Sequence, residues 1–318
     1  MRGFVIGLAF GAVLAAQDGS RQYSTSSADV NGNRVVGPSW SESRTQDSYE
    51  KTSRMQNING RMVPSESTEE RVLYHDANQT VKERLIQRYD YAGKPTGLDK
   101  VRIEERKNPD GSQTVVKASY QQDANGRFQL AEQATSKIVK SDAGRSEAMV
   151  VQRPGLNGSM ETVAQINSAG TKGGGREQEQ VTTYRKDVNG AFYEASRTMT
   201  DRVQQQPGLV KETTMAYEVG GSGKLEPSAR TVSQIRKSSD GSEVRDSTIY
   251  RSWAAGRADP AAGLQPSEQW LVEKKPGANN TVLETSSVRK PDLNSGGMGK
   301  YEKLYESVCS GKCQPDEK

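Results

Sequence analysis

Bulky apolar residues are scarce in this 318-residue chain: Leu, Ile, Val and Phe together fill 52 positions, about 16%, with only four Phe and three Trp. That is below the roughly 20% at which disorder becomes an alternative to a folded sheet when net charge is also high. Histidine occurs once, as His75, so Ser-His-Asp and Cys-His arrangements lack their usual base. Between Tyr74 and Asp76, in turn-like sequence, His75 reads as a solvated surface residue. Two cysteines and one distant histidine cannot supply the four ligands of a zinc site. Net charge is also nearly absent. Lys plus Arg number 44 against 40 for Asp plus Glu, a balance of +4 that is too small to expand the chain by repulsion and allows only weak attraction to polyanions. No phosphate loop and no G-x-S-x-G elbow occur, and the run Gly173-Gly174-Gly175-Arg176 lacks the spacing of a phosphate cradle. No cofactor, nucleotide or metal is expected.

The N-terminus does carry a signal. Arg2 precedes an apolar run from Gly3 to Ala16, then Gln17 and Asp18, the pattern of a secretory leader with cleavage near Ala15 or Ala16. The run is shorter than the roughly 20 residues that cross a bilayer as a helix. The expectation is an exported chain, secreted or periplasmic, with no membrane span once residues 1–16 are removed. Cys309 and Cys313, spaced C-x-x-x-C, then read as a local disulfide; free or intermolecularly paired thiols are the alternative.

The most regular feature is a beat of glycines at Gly60, Gly93, Gly126, Gly158, Gly190, Gly223 and Gly256, spaced 32 or 33 residues apart. Asn59, Asn125, Asn157 and Asn189 precede four of them, and Asn-Gly is a strong hairpin-turn signal. A second turn signal lies mid-block, for example Asp110-Gly111, Pro207-Gly208 and Asp240-Gly241. A bulky apolar residue follows the leading glycine by two places (Met62, Phe128, Met160, Phe192, Leu225). A tyrosine precedes the next glycine by six (Tyr120, Tyr184, Tyr217, Tyr250). Each block is therefore a hairpin of two long strands.

The fold class expected is all-β: a repetitive antiparallel meander of about 14 to 17 long strands, extended or curled, largely polar on both faces. An outer-membrane barrel is also a long meander behind a leader, but its outward apolar band cannot be built from so few aromatics. The organisation expected is a leader (1–16), irregular N-terminal strands or linker (17–59), the hairpin array (60–295) and a Gly-rich linker, short helix and Cys-containing tail (296–318). The helix is suggested by Tyr301, Leu304, Tyr305 and Val308, at i, i+3, i+4 and i+7.

Function is much less legible. Carboxylates are plentiful but nothing marks a catalytic pair. The repeated surface residues Tyr120, Tyr184, Arg185, Tyr217, Tyr250 and Arg251 are the candidate binding positions, an aromatic beside a cation in Tyr184-Arg185 and Tyr250-Arg251. The leading reading is a non-enzymatic exported scaffold or binding surface, its partner an envelope component, a polysaccharide or another protein. The alternative is a carbohydrate-active or polyanion-binding protein with a groove across the repeated strands.

Overall fold

The computed structural model describes residues 19–28, 34–45, 49–251, 263–278, 281–292 and 297–311. The leader, the Asn31-Gly32 pair, Gly256 with residues 258–262, Asn279 and Cys313 lie outside the described residues. The chain opens with β1 (Gly19–Ala28), β2 (Arg34–Thr45) and β3 (Tyr49–Ile58), then β4 (Arg61–His75), β5 (Gln79–Tyr89) and β6 (Pro95–Lys107). Next come β7 (Gln113–Gln122), β8 (Phe128–Ser141), β9 (Gly144–Pro154), β10 (Met160–Gly173), β11 (Arg176–Lys186) and β12 (Phe192–Gln206). The last six are β13 (Leu209–Val219), β14 (Leu225–Lys237), β15 (Glu243–Arg251), β16 (Gln265–Pro276), β17 (Val282–Arg289) and β18 (Glu302–Gly311).

Every strand pairs antiparallel with its sequence neighbours, and β18 also pairs with β1, so the 18 strands form one closed barrel. This corrects the expected open or curled meander of about 14 to 17 strands. An open sheet needs an apolar face to bury and leaves two edges to protect. A closed ring instead satisfies every backbone donor and acceptor of the wall and has no edge to protect. The irregular N-terminal stretch contributes β1 to β3. The expected C-terminal helix is corrected as well, because Glu302–Gly311 is the closing strand. Its helical spacing comes from a β-bulge: Ser286 pairs with Tyr305 and Ser287 with Lys303, leaving Leu304 as an extra residue that breaks the period of two.

Such a bulge recurs at one end of the wall. It places the unpaired residues Ser65, Thr96, Ala131, Val163, Ala195, Ser228 and Ser267 on successive even-numbered strands. Where that residue is serine, its hydroxyl donates across the bulge to the facing strand's carbonyl: Ser65 to Arg54, Ser228 to Ala216 and Ser267 to Ile249, at 3.1–3.3 Å. Ser228→Ala is expected to cost about 0.5–1.5 kcal/mol, the usual net worth of one such bond, measured as a shift of the thermal unfolding midpoint. No shift would show that the bond contributes nothing.

The glycine beat marks the turns at that same end. The six described leading glycines have φ between 75° and 83°. Only at Asn59-Gly60 is the preceding asparagine also at positive φ, as a two-residue turn requires. At Asp90, Asp123 and Asp187 the turn is a three-residue loop closed by the glycine, and the aspartate carboxylate accepts backbone N–H groups two and four residues on. The outer ends of β1 and β18 lie at the opposite end. Short turns such as Gly174-Gly175 and Pro207-Gly208 sit there, while the longest connections, after β15 and β17, are at the bulge end.

Cross-strand partners share a face, so the registers sort all side chains into two sets. One set contains the row Val72, Lys82, Ile103, Lys117, Ala134, Val151, Ala164 and Arg185. The other contains the row Gln180, Met199, Met215, Arg230, Tyr250 and Pro266. Side chains pointing into a cylinder converge and shield one another. Ile138 is 7% exposed where its neighbour Val139 is 46%, and Val151 is 6% where Val150 is 36%, so the first set faces inward. The hand of the wall agrees. Followed round the ring, the ladder climbs about 20 residues toward the bulge end. With the right-handed coil of β-strands, that climb puts the same set inside. It corresponds to a strand tilt of about 40° and a wall radius of roughly 16 Å.

Candidate functional site

The inner wall is lined by charges of both signs set among Ile103, Ile138, Ile166, Val181 and Ile235. Two ion-paired clusters stand out. On β4 to β6, Glu70 accepts from Arg84 Nε at 2.8 Å and lies 3.9 Å from Lys82, which also approaches Glu105 at 3.8 Å. Across β11 to β15, Arg202 joins Glu177 at 3.2 Å to Glu212, whose second oxygen is 3.8 Å from Arg245. Arg153 with Glu132 (2.8 Å), Arg145 with Glu147 (2.9 Å) and Lys274 with Glu284 (3.4 Å) continue the pattern. These carboxylates are crowded: Glu70 and Glu212 keep 16% and 14% of their side-chain exposure. At the seam, Tyr23 and Trp40 stack inside the wall with ring centres 4.6 Å apart.

The outer wall has a different device, set at the level of the bulges. Residues paired across the bulge line form an apolar and aromatic belt: Met55 with Pro64, Tyr89 with Pro95, Tyr120 with Leu130, Tyr217 with Pro227 and Tyr250 with Pro266. Proline is tolerated there because a bulge interrupts the ladder that its missing N–H would break. Tyr184 stands at the same level opposite Glu194. Cations lie over the belt: Lys100 is 4.9 Å from both the Tyr120 and Phe128 rings, Lys186 5.6 Å from Phe192, Arg230 5.6 Å from Tyr250 and Arg289 4.6 Å from Tyr301. Between this belt and the other end, the outer wall mixes Thr, Gln, Ser, Ala, Val, Leu and Met with charged residues such as Glu83, Arg102, Glu104 and Lys211. Ion pairs such as Lys51–Glu69 (3.2 Å) and Arg176–Asp201 (2.6 Å) are set among them.

The candidate residues read from the sequence are thus separated by the strand period of two. Tyr120, Tyr184, Tyr217 and Tyr250 are on the outer belt, whereas Arg185 and Arg251 point into the lumen. Tyr184-Arg185 and Tyr250-Arg251 do not share one ligand. Cys309 is disulfide-bonded and buried on the inner face of β18. The belt prolines and Met55, and the acidic partners Glu70 and Glu212, were not among the sequence candidates. Pro64 and Pro227 do recur four places after the leading glycine, and that was a readable signal.

No catalytic constellation is assembled among the described residues, and no cluster of His, Cys, Asp and Glu there could hold a metal. His75 is an exposed rim residue whose Nδ1 lies 2.9 Å from the Thr80 hydroxyl. Beside it in the same rim, Asp110 is held down at about 2, chiefly by the Ser112 hydroxyl, then by the Ser112 backbone N–H and Lys137. The described strands form a wall around a lumen.

Closure overturns the reading of an exported scaffold or binding surface, and with it the carbohydrate-active or polyanion-binding groove across open strands. The expected partners (an envelope component, a polysaccharide or another protein), the absence of a membrane span and the secreted or periplasmic location go too. An edgeless strand wall with an aromatic belt is an architecture that crosses a bilayer without any helix. Among the described residues no helix is long and apolar enough to cross a membrane, which says nothing of strands. The expectation failed because it asked for an outer band of bulky residues and missed that Tyr, Pro, Leu and Met collect at one level.

No family model and no curated protein matches the sequence. Among solved structures, the barrel is similar to two engineered forms of the Rh. blastica porin at 7% and 8% identity. Each match has a TM-score of 0.55 and covers 92% of this chain and 98% of the porin. It is also similar to Salmonella typhi OmpF in complex with daunomycin, at 7% identity and a TM-score of 0.50, over 92% of this chain and 97% of that one. At such identities the likeness is one of fold: this chain has the closed antiparallel barrel fold of these porins.

Proposed function

We propose that the chain is a channel of the outer membrane, exported by the leader at residues 1–16 and conducting ions and small polar solutes through its lumen. The observation that carries this is the closed wall of 18 strands around an inner face of interleaved charges. A wall of roughly 16 Å radius leaves room for water beyond its side chains, as in barrels of 16 to 18 strands generally. The outer belt supplies one interfacial girdle, and the short turns at the termini end with longer connections opposite match the usual polarity of such barrels. The outer wall below the belt is more polar than a pure lipid-facing band. Part of its charge is paired within the wall, as in Lys51–Glu69 and Arg176–Asp201.

Purified full chain added to planar bilayers is expected to give stepwise, ohmic conductance increments. It should also co-float with liposomes and make them permeable to small sugars. A protein that remains soluble and monomeric in buffer and produces no steps would overturn the proposal.

A further inference from the structure

The outer belt pairs aromatic rings with cations in register. Lys100 faces Tyr120, Arg197 faces Tyr217 and Arg230 faces Tyr250, in each case a cation on the even strand beside a tyrosine on the next odd strand. Arg197 is engaged by Glu194 at 2.7 Å. Among the described residues the others are less closely met: Lys100 has Glu83 at 4.0 Å, and Arg289 binds the neutral Gln269. Lys186 and Arg230 have no carboxylate partner among the described residues, only the rings beneath them.

On the channel reading, we infer that this belt is a binding surface for phosphate-bearing headgroups of anionic lipids, with Lys100, Lys186, Arg230 and Arg289 meeting the phosphates and the tyrosines seated at the headgroup level. A ring with an apolar body and a polar tip is suited to that depth. A cation lying over it is held against the wall with its charge directed outward, so the belt presents positive charge where an anionic leaflet presents negative. Cations seated over rings gather at this level of the outer wall, so contact with an anionic leaflet there fixes the depth at which the barrel sits. A zwitterionic surface offers no such attraction, and each cation near an anionic one raises partitioning roughly fivefold.

The test uses the full chain and vesicles of phosphatidylcholine alone or with a phosphatidylglycerol fraction, at low salt. Wild type is expected to insert at least about tenfold better when phosphatidylglycerol is present, with the gain falling as salt rises. A variant carrying Lys100→Gln, Arg230→Gln and Arg289→Gln should lose most of that gain and keep its conductance in phosphatidylcholine. A control with the same loss of charge on the inner wall, Lys117→Gln, Lys140→Gln and Arg185→Gln, should keep the gain. Insertion indifferent to phosphatidylglycerol, or an equal loss in the inner control, would overturn the belt. Preferential co-flotation with anionic vesicles but no conductance in either lipid would sink the channel and support the belt.

Discussion

Removing Glu302–Gly311 is expected to abolish the folded barrel, whereas removing the 33 residues from Gly190 to Ser222 is expected to leave a smaller one. The difference is parity. β18 is antiparallel to both β17 and β1. Without it, β17 and β1 point the same way, and neither can make the antiparallel ladder that seals the ring. Both ladders would be uncovered, at a cost on the order of tens of kcal/mol in a bilayer, where each unsatisfied backbone group costs several. The internal deletion removes β12 and β13 together, so 16 strands remain with their directions alternating. It joins Asn189 to Gly223, giving Asp187-Val188-Asn189-Gly223-Lys224, a loop with the aspartate and glycine of its neighbours. Bore area scales with the square of strand number, so unit conductance should fall by about one-fifth. Heat-modifiable migration and single-channel recording decide the matter. A folded, conducting β18 deletion would show that the seam is dispensable.

Glu212→Gln is expected to shift the channel toward anion selectivity and to destabilise it by about 1–2 kcal/mol. Glu212 holds Arg202 on one side and Arg245 on the other, and Gln keeps the shape but removes the charge both cations answer. The figure is discounted from that of a buried pair because the arginines remain 41–45% exposed. With Arg245 released and Arg202 left with Glu177 alone, the reversal potential in a salt gradient should move toward that of chloride. Glu104→Gln, an equal change on the outer wall beside Arg106, should leave selectivity where it was. Equal effects of the two substitutions would mean that the inner and outer assignments are wrong.

The hairpin beat was legible because a three-residue loop needs its glycine at a fixed place, and turn chemistry is local. Strand length followed from the spacing of turns. Closure was not legible, since the pairing of Val308 with Ser24 joins residues from opposite ends of the chain and leaves no trace in either neighbourhood. The bulges misled in a specific way. At Leu304 the extra residue gave a strand the apolar spacing of a helix, and at Ser228 and Ser267 it hid the alternation that sorts inner from outer side chains. Hence Tyr250-Arg251 looked like a joint binding pair, although one faces out and the other in. The lumen clusters escaped entirely, because Glu177, Arg202, Glu212 and Arg245 meet through registers that composition does not encode.

The seam has a consequence for the chain as a string. Because β1 lies beside β18, with Arg21 opposite Gly311, the first and last strands are as much neighbours as any other two. The ring has no topological beginning. A continuous peptide joining those ends, with new termini opened in the connection after Arg251, would retain every ladder of the wall, so the point at which synthesis starts is a matter of gene order and not of architecture.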